Sequence, residues 1–146
     1  MLEITQEWLL KEAQNFLSKG EKVTMRGSGN SMIPYLRARD SFVLSPYRPE
    51  DLKTGRIVLF SYQGKYIIHR IIGRKDECFI IQGDGVCKNK EIVPEKDIIA
   101  IVWTIIRSKG KEVSTRSFGA RLYWFAWRLL RPVRRYVLWL LRKLCH

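Results

Sequence analysis

The sequence predicts a mainly β protein: a partly closed, antiparallel, barrel-like core with an N-terminal helix and a basic amphipathic helical tail. Three observations predict it. Between Glu21 and Thr104, short apolar runs alternate with tight glycine turns, and no stretch inside has the length of a helix. Before that region, apolar residues recur at helical spacing; after it, an apolar face and a basic arc run together. The 146 residues suffice for one domain with a real core and are too few for two ordinary ones. The expected organisation is a helix within 1–20, a β-rich domain over 21–110 and a helical tail over 111–146.

The first helix is placed at 5–18. Thr5 can cap it, Glu7 sits early where the helix dipole favours an acid, and Gly20 is a natural stop. Trp8, Leu9, Ala13, Phe16 and Leu17 form its apolar stripe. Strands follow at Lys22–Met25, Ser41–Leu44, Arg56–Tyr62, Tyr66–Ile72, Cys78–Gln82 and Ile98–Ile106. Gly64 turns one hairpin, a turn is placed around Gly73 to Glu77, and Gly110 closes the domain. Residues 117–144 read as a helix that Pro132 breaks or kinks.

Charge is unevenly spread. The net is +13, but residues 1–104 carry 16 basic and 13 acidic side chains, while 105–146 carry 11 basic and one acid, Glu112. A basic tail points to a phosphate-bearing partner, nucleic acid or an anionic membrane. In the tail, Arg121, Arg128, Arg131, Arg135, Arg142 and Lys143 share one arc of the helix. Leu122, Phe125, Leu129, Val133, Tyr136 and Leu140 are among the residues opposite, with Trp124, Trp127 and Trp139 near the boundary. This pattern suits a helix lying in an anionic membrane surface, arginines to lipid phosphates and tryptophans at headgroup level. Packing on the β domain is the plainer alternative. A nucleic-acid-binding barrel would place its aromatic residues on the strands as a stacking platform, and three of the five tryptophans lie in the tail.

No window approaches 18 uncharged apolar residues, so a simple spanning helix is not expected, and no signal peptide is read at the start. Cys78, Cys87 and Cys145 are too few and too scattered for a disulfide scaffold, which favours reduced thiols and the cytoplasm. Two histidines and no cysteine cluster give a compact metal site few ligands, and no nucleotide-cradling glycine loop is present. Neither a metal nor a cofactor is expected.

Chemistry is sought first at Ser31, in the turn Gly27-Ser28-Gly29-Asn30-Ser31-Met32-Ile33-Pro34. A serine there can be exposed, with backbone N–H groups facing a developing oxyanion; it can equally be an ordinary turn residue. His69, the only internal histidine, lies on an apolar strand where Ile67, His69 and Ile71 share a face. A polar ring there needs a partner or a task. Asp84 follows in a Gly-Asp-Gly turn. Ser31, His69 and Asp84 could serve as nucleophile, base and orienting acid, although spacing alone does not establish a triad.

At these places the sequence resembles the signal peptidase I family and its small relatives in the wider serine-peptidase clan. Gly29 to Leu36 resembles the nucleophile box, with its Ser-Met-x-Pro-x-Leu core. Asp40 to Leu44 and Gly55 to Phe60 resemble the strands after it. Tyr66 to Gly73 resembles the box that supplies the base, and Phe79 to Gly85 the terminal box with its Gly-Asp pair. The boxes stand in family order from about Gly27 to Thr104.

The resemblance implies a serine endopeptidase with Ser31 as nucleophile and His69 at the position that is lysine in most bacterial members and histidine in the archaeal and endoplasmic-reticulum type. Histidine needs no large pKa depression to act as a base near neutral pH, whereas lysine must first be desolvated. The serine that bacterial members carry two residues before the nucleophile is Gly29 here, so Ser28 or Asn30 would support backbone oxyanion donors. The acid that histidine-type members carry about six residues after the Gly-Asp pair falls at Lys90, with Glu91 beside it. Asp84 is therefore the first choice to orient His69 and Glu91 the reserve. The family's usual membrane span before the nucleophile is not seen, and the basic tail would take over attachment. The implied setting is the cytoplasmic face of a membrane, cleaving a precursor or leader peptide in a maturation or transport complex. A catalytically inactive peptide-binding relative is the alternative, and nucleic acid is not an expected partner.

Overall fold

A computed structural model describes residues 4–26, 32, 34–37 and 39–144, with side chains described from residue 11 onward except at 142 and 144. The chain opens with helix α1, Ile4–Ser18. Its end is closed by Gly20, whose φ of 82° suits glycine, while the N–H groups of Gly20 and Glu21 return to the carbonyls of Leu17 and Phe16. Ala13 and Leu17 are buried, but Phe16 is 44% exposed, so the buried stripe is narrower than the sequence suggests.

Eight strands follow: β1 Val23–Arg26, β2 Ser41–Ser45, β3 Ile57–Tyr62, β4 Lys65–Lys75, β5 Cys78–Gln82, β6 Glu91–Pro94, β7 Ile98–Ile106 and β8 Glu112–Ser114. They form one antiparallel sheet in the order β1-β2-β7-β3-β4-β5-β6, with β8 added to β7. The mainly β class is as predicted. The sheet is unclosed among the described residues, since β1 and β6 each have one neighbour.

Most strands lie within a residue or two of their expected places. The β3–β4 hairpin turns on Gln63 and Gly64, both at positive φ, a geometry whose twist matches the flanking strands. Strand β4 differs most. The turn expected over Gly73 to Glu77 forms only at the end of that span; the strand runs on to Lys75 and absorbs an irregularity between Ile71 and Gly73. The turn falls at Asp76, with φ 55°. Two strands were not foreseen, β6 and β8, and β8 carries the sheet past Gly110.

Both faces of the sheet are buried against apolar groups. One face gathers Met32, Tyr35, Leu36, Phe42, Leu44, Ile57, Leu59 and Val102 with Leu17 of α1. The other gathers Val58, Phe60, Ile71, Phe79, Ile81, Val93 and Ile101. Alternation along β4 sorts its side chains between them: Tyr66, Ile68 and Arg70 face the first, Ile67, His69 and Ile71 the second.

The tail folds into two helices, α2 Phe118–Leu129 and α3 Arg134–Leu144, broken at Pro132 as predicted. Ser117 caps α2 by accepting from the Ala120 N–H. The inner side of α2 joins the first core face through Ala120 and Tyr123. No helix among the described residues is long and apolar enough to cross a membrane.

Candidate active site

Arg70 and Asp84 form the most buried polar contact. Arg70 is 3% exposed and Asp84 fully buried. The guanidinium donates from Nε to Asp84 Oδ1 at 2.9 Å and from Nη2 to Oδ2 at 2.8 Å, a bidentate fork. Its third donor, Nη1, reaches the Gly55 carbonyl at 2.8 Å. Burial works against the charge on Arg70, but the Asp84 carboxylate outweighs it and raises the pKa. Tyr35 and Trp124 lie against the guanidinium, with ring centroids 4.8 and 5.1 Å from Cζ. From α2, Tyr123 donates its hydroxyl to Asp84 Oδ2 at 3.1 Å and Trp127 donates Nε1–H to the Asp84 carbonyl at 3.1 Å.

The expectation that Asp84 orients His69 is therefore corrected. Both Asp84 oxygens are committed, and they face the side of β4 that carries Arg70. His69, one residue earlier on the same strand, points to the opposite side. There its carboxylate neighbour is the reserve acid, Glu91: His69 Nδ1 lies 2.8 Å from Glu91 Oε1. Distance and alignment disagree, because Nδ1 and Glu91 Oε2 are both buried without an aligned hydrogen bond. The two groups are close enough to form an ion pair when the ring is protonated. Nε2 makes no hydrogen bond among the described residues.

Local structure explains this placement. Glu91 opens β6, which pairs antiparallel with β5 and sets Glu91 opposite Ile81; β5 in turn sets Ile81 opposite Ile71, two residues from His69 on its face. His69 is 6% exposed and its ring centroid lies 6.1 Å from that of Phe60. The couple forms one wall of a groove of about 640 Å³ between the β3–β4 hairpin and the segment before β6. Tyr62 and Ile67 supply apolar surface, and Lys65, Lys88 and Lys90 line it with positive charge. These lysines were not singled out in the sequence as peptide contacts, because Lys65 only opens β4 and Lys88 and Lys90 sit in the irregular segment before β6, where lysine is ordinary.

Ser31, Ser28 and Asn30 lie outside the described residues. The chain beyond Ser31 is firmly held. Met32 is 3% exposed and its sulfur accepts the Asp84 N–H at 3.4 Å. Leu36 N–H returns to the Met32 carbonyl, Asp40 accepts the Arg37 N–H, and Arg107 of the β7–β8 connection donates to Asp40 and to the Tyr35 carbonyl.

The tail residues divide. Arg121, Arg128, Arg131, Arg135, Trp139 and Lys143 are exposed, and the Arg142 side chain lies outside the described ones. Trp127 is 4% exposed and Trp124 half-buried against Gly55, so these two serve the core and are corrected as headgroup anchors. Their polar edges and flat faces have found the Asp84–Arg70 cluster instead.

Burial, and the nearby Asp84 charge, push the Tyr123 phenol far above its ordinary value of 10.0. Above that ordinary value the unfolded chain ionises at Tyr123 while the folded chain does not, so this contribution to stability is full below about pH 10 and lost as pH rises. Burial also raises Tyr35 and Tyr47, so ultraviolet titration should show fewer tyrosines ionising in the folded wild type than in unfolded chain, and Tyr123→Phe should reduce that shortfall by one. A shortfall unchanged in Tyr123→Phe would overturn the assignment.

Compared with protein-family models, curated proteins and solved structures, the chain matches none.

Proposed function

We propose that the protein is a serine endopeptidase that cleaves a leader or precursor peptide. The observation that carries this reading is the buried His69–Glu91 couple, 2.8 Å apart, on the wall of an open groove. Ser31 Oγ attacks the scissile carbonyl carbon while His69 takes its proton. Backbone N–H groups near Ser31, with Ser28 or Asn30 in support, hold the oxyanion. As the C–N bond breaks, the imidazolium protonates the leaving amine, and water then hydrolyses the acyl ester with His69 as base. Glu91 orients the ring and offsets the imidazolium charge. The groove's lysines favour an extended peptide with acidic side chains.

A serine-directed phosphonate should label the wild type and fail to label Ser31→Ala or His69→Ala. The second reading is a non-catalytic peptide-binding module. One observation favours it: Met32, next to Ser31, packs on the Arg70 side of β4, opposite His69. A groove that binds acidic peptides in a protein that no phosphonate labels would decide for that module.

The same proposal places the protein at the cytoplasmic face of an anionic membrane, in a peptide-maturation or transport complex. Its support is an outward apolar stripe on α2, Phe118 81%, Leu122 56%, Phe125 59% and Leu129 67% exposed, continued on α3 by Tyr136, Trp139 and Leu140. Exposed arginines flank it. Phe125→Ser with Leu129→Ser should strongly reduce sedimentation with anionic vesicles while leaving the fold unchanged, because neither side chain packs inside. Added salt should weaken wild-type binding. Sedimentation equal to wild type would sink the attachment.

A further inference from the structure

Arg134, the first residue of α3, is 7% exposed, and its buried Nε has no hydrogen-bond partner. Its guanidinium stacks on Trp127, with Cζ 4.9 Å from the ring centroid. No ion pair involves it among the described residues, and Asp84, the anion that acts on it most, is already held by Arg70 and Tyr123. Burial lowers its pKa, with Asp84 acting in the opposite sense. A cation taken from water without a partner is costly, and an anion that reaches it relieves the cost.

The space beside Arg134 suits such an anion. Two cavities of about 250 and 390 Å³ share Arg131 and Arg134 as walls. The first adds Arg128, Lys90 and the Gln82 amide; the second adds Lys88 and Arg135. No acidic side chain lines either among the described residues. Outward from the same corner, Leu129 is 67%, Leu130 40% and Val133 45% exposed.

We propose that the α2–α3 corner binds the phosphate group of an anionic phospholipid, with Arg134 as the buried contact and Arg131 at the rim. Guanidinium donors match phosphate oxygens in a fork, and the apolar corner beside the cavity suits the start of the acyl chains. The choice of a lipid over free phosphate rests on the membrane attachment proposed above.

The test uses the full chain, sedimented with phosphatidylcholine vesicles containing phosphatidate, and separately its thermal midpoint in inorganic phosphate against chloride at matched ionic strength. Arg134→Met and Arg131→Gln should bind the vesicles about tenfold more weakly than wild type. Lys75→Gln removes the same charge from exposed surface outside the cavities and outside the tail and should lose no more than about twofold. Arg131 is exposed, so its replacement tests the site even if Arg134→Met folds poorly. Phosphate should raise the wild-type midpoint and leave that of both pocket variants unmoved.

Equal vesicle affinity in wild type and pocket variants, with the phosphate response intact, would overturn the lipid source in favour of free phosphate. An equal loss in Lys75→Gln would overturn the site, leaving only diffuse charge. Wild type that ignores vesicles yet still responds to phosphate through Arg134 would show that membrane attachment, and not the pocket, had failed; the lipid assignment falls with it.

Discussion

Asp84→Ala is expected to cost about 3–5 kcal/mol of stability, because it leaves Arg70 buried without its counter-charge. That is a large share of the roughly 5–15 kcal/mol that holds a domain of ordinary stability. The loss reaches beyond the pair. Tyr123 loses its acceptor, so α2 loses its side-chain hydrogen bond to Asp84 and keeps the one from Trp127 to the Asp84 carbonyl. Urea unfolding should show a markedly lower midpoint. Arg70→Met combined with Asp84→Leu should recover much of it, since two apolar groups leave no orphaned charge. Asp84→Ala with an unchanged midpoint but no activity would return Asp84 to the chemistry.

The opposite signature is expected at the groove. His69→Ala should lower turnover by about 10²–10⁴-fold, the usual contribution of a positioned general base. Glu91→Gln keeps the shape but removes the charge that faces Nδ1, and its loss should fall mainly in kcat, at up to about 10⁴-fold. Glu91→Gln should leave the unfolding midpoint near that of wild type, whereas His69→Ala also removes a buried ring beside Phe60 and lowers it. Ser31→Ala should abolish turnover outright. The comparison that matters pairs the two acids: Asp84 substitutions act on the midpoint, Glu91 substitutions on kcat. Glu91→Gln with wild-type kcat would remove the acid from the mechanism.

The strands were legible because their signals are local. Ile57–Tyr62 and Cys78–Gln82 are apolar runs bounded by turn residues, and Gly20, Gly64 and Gly110 sit where positive φ is needed. Strand β6 was not legible: Glu91-Ile-Val-Pro is short, begins with an acid and ends in proline, and it exists only because β5 offers it a partner. Strand β8 is three residues long and likewise depends on its neighbour, β7.

The orienting acid was misread for a related reason. The Gly-Asp turn, with Lys90 at the family's acid position, favoured Asp84, but period two sends adjacent residues to opposite sides of a strand. One available signal was overlooked. Arg70, in the apolar run Ile67-Ile68-His69-Arg70-Ile71-Ile72, needs an acid of its own, and pairing it with Asp84 leaves Glu91 for His69. The inward side of α2 was hidden similarly. A tryptophan suits a membrane interface or a core equally well by periodicity, and only the Asp84 carbonyl, 43 positions earlier in the chain, distinguishes them.

That separation has a consequence for the protein during its own synthesis. At roughly 5–20 residues per second, Trp127 is made about 2–9 seconds after Asp84. Throughout that interval Arg70 and Asp84 can meet, but Tyr123 and Trp127 do not yet exist to cover them. The side of the sheet that Ala120 will close is equally bare. The nascent chain therefore passes through a half-covered stage with an apolar surface open to other nascent chains and to chaperones. Stalled chains whose β7 has left the ribosome but whose α2 has not should hold a sheet that protease digests easily, and release of the finished tail should confer resistance in one step.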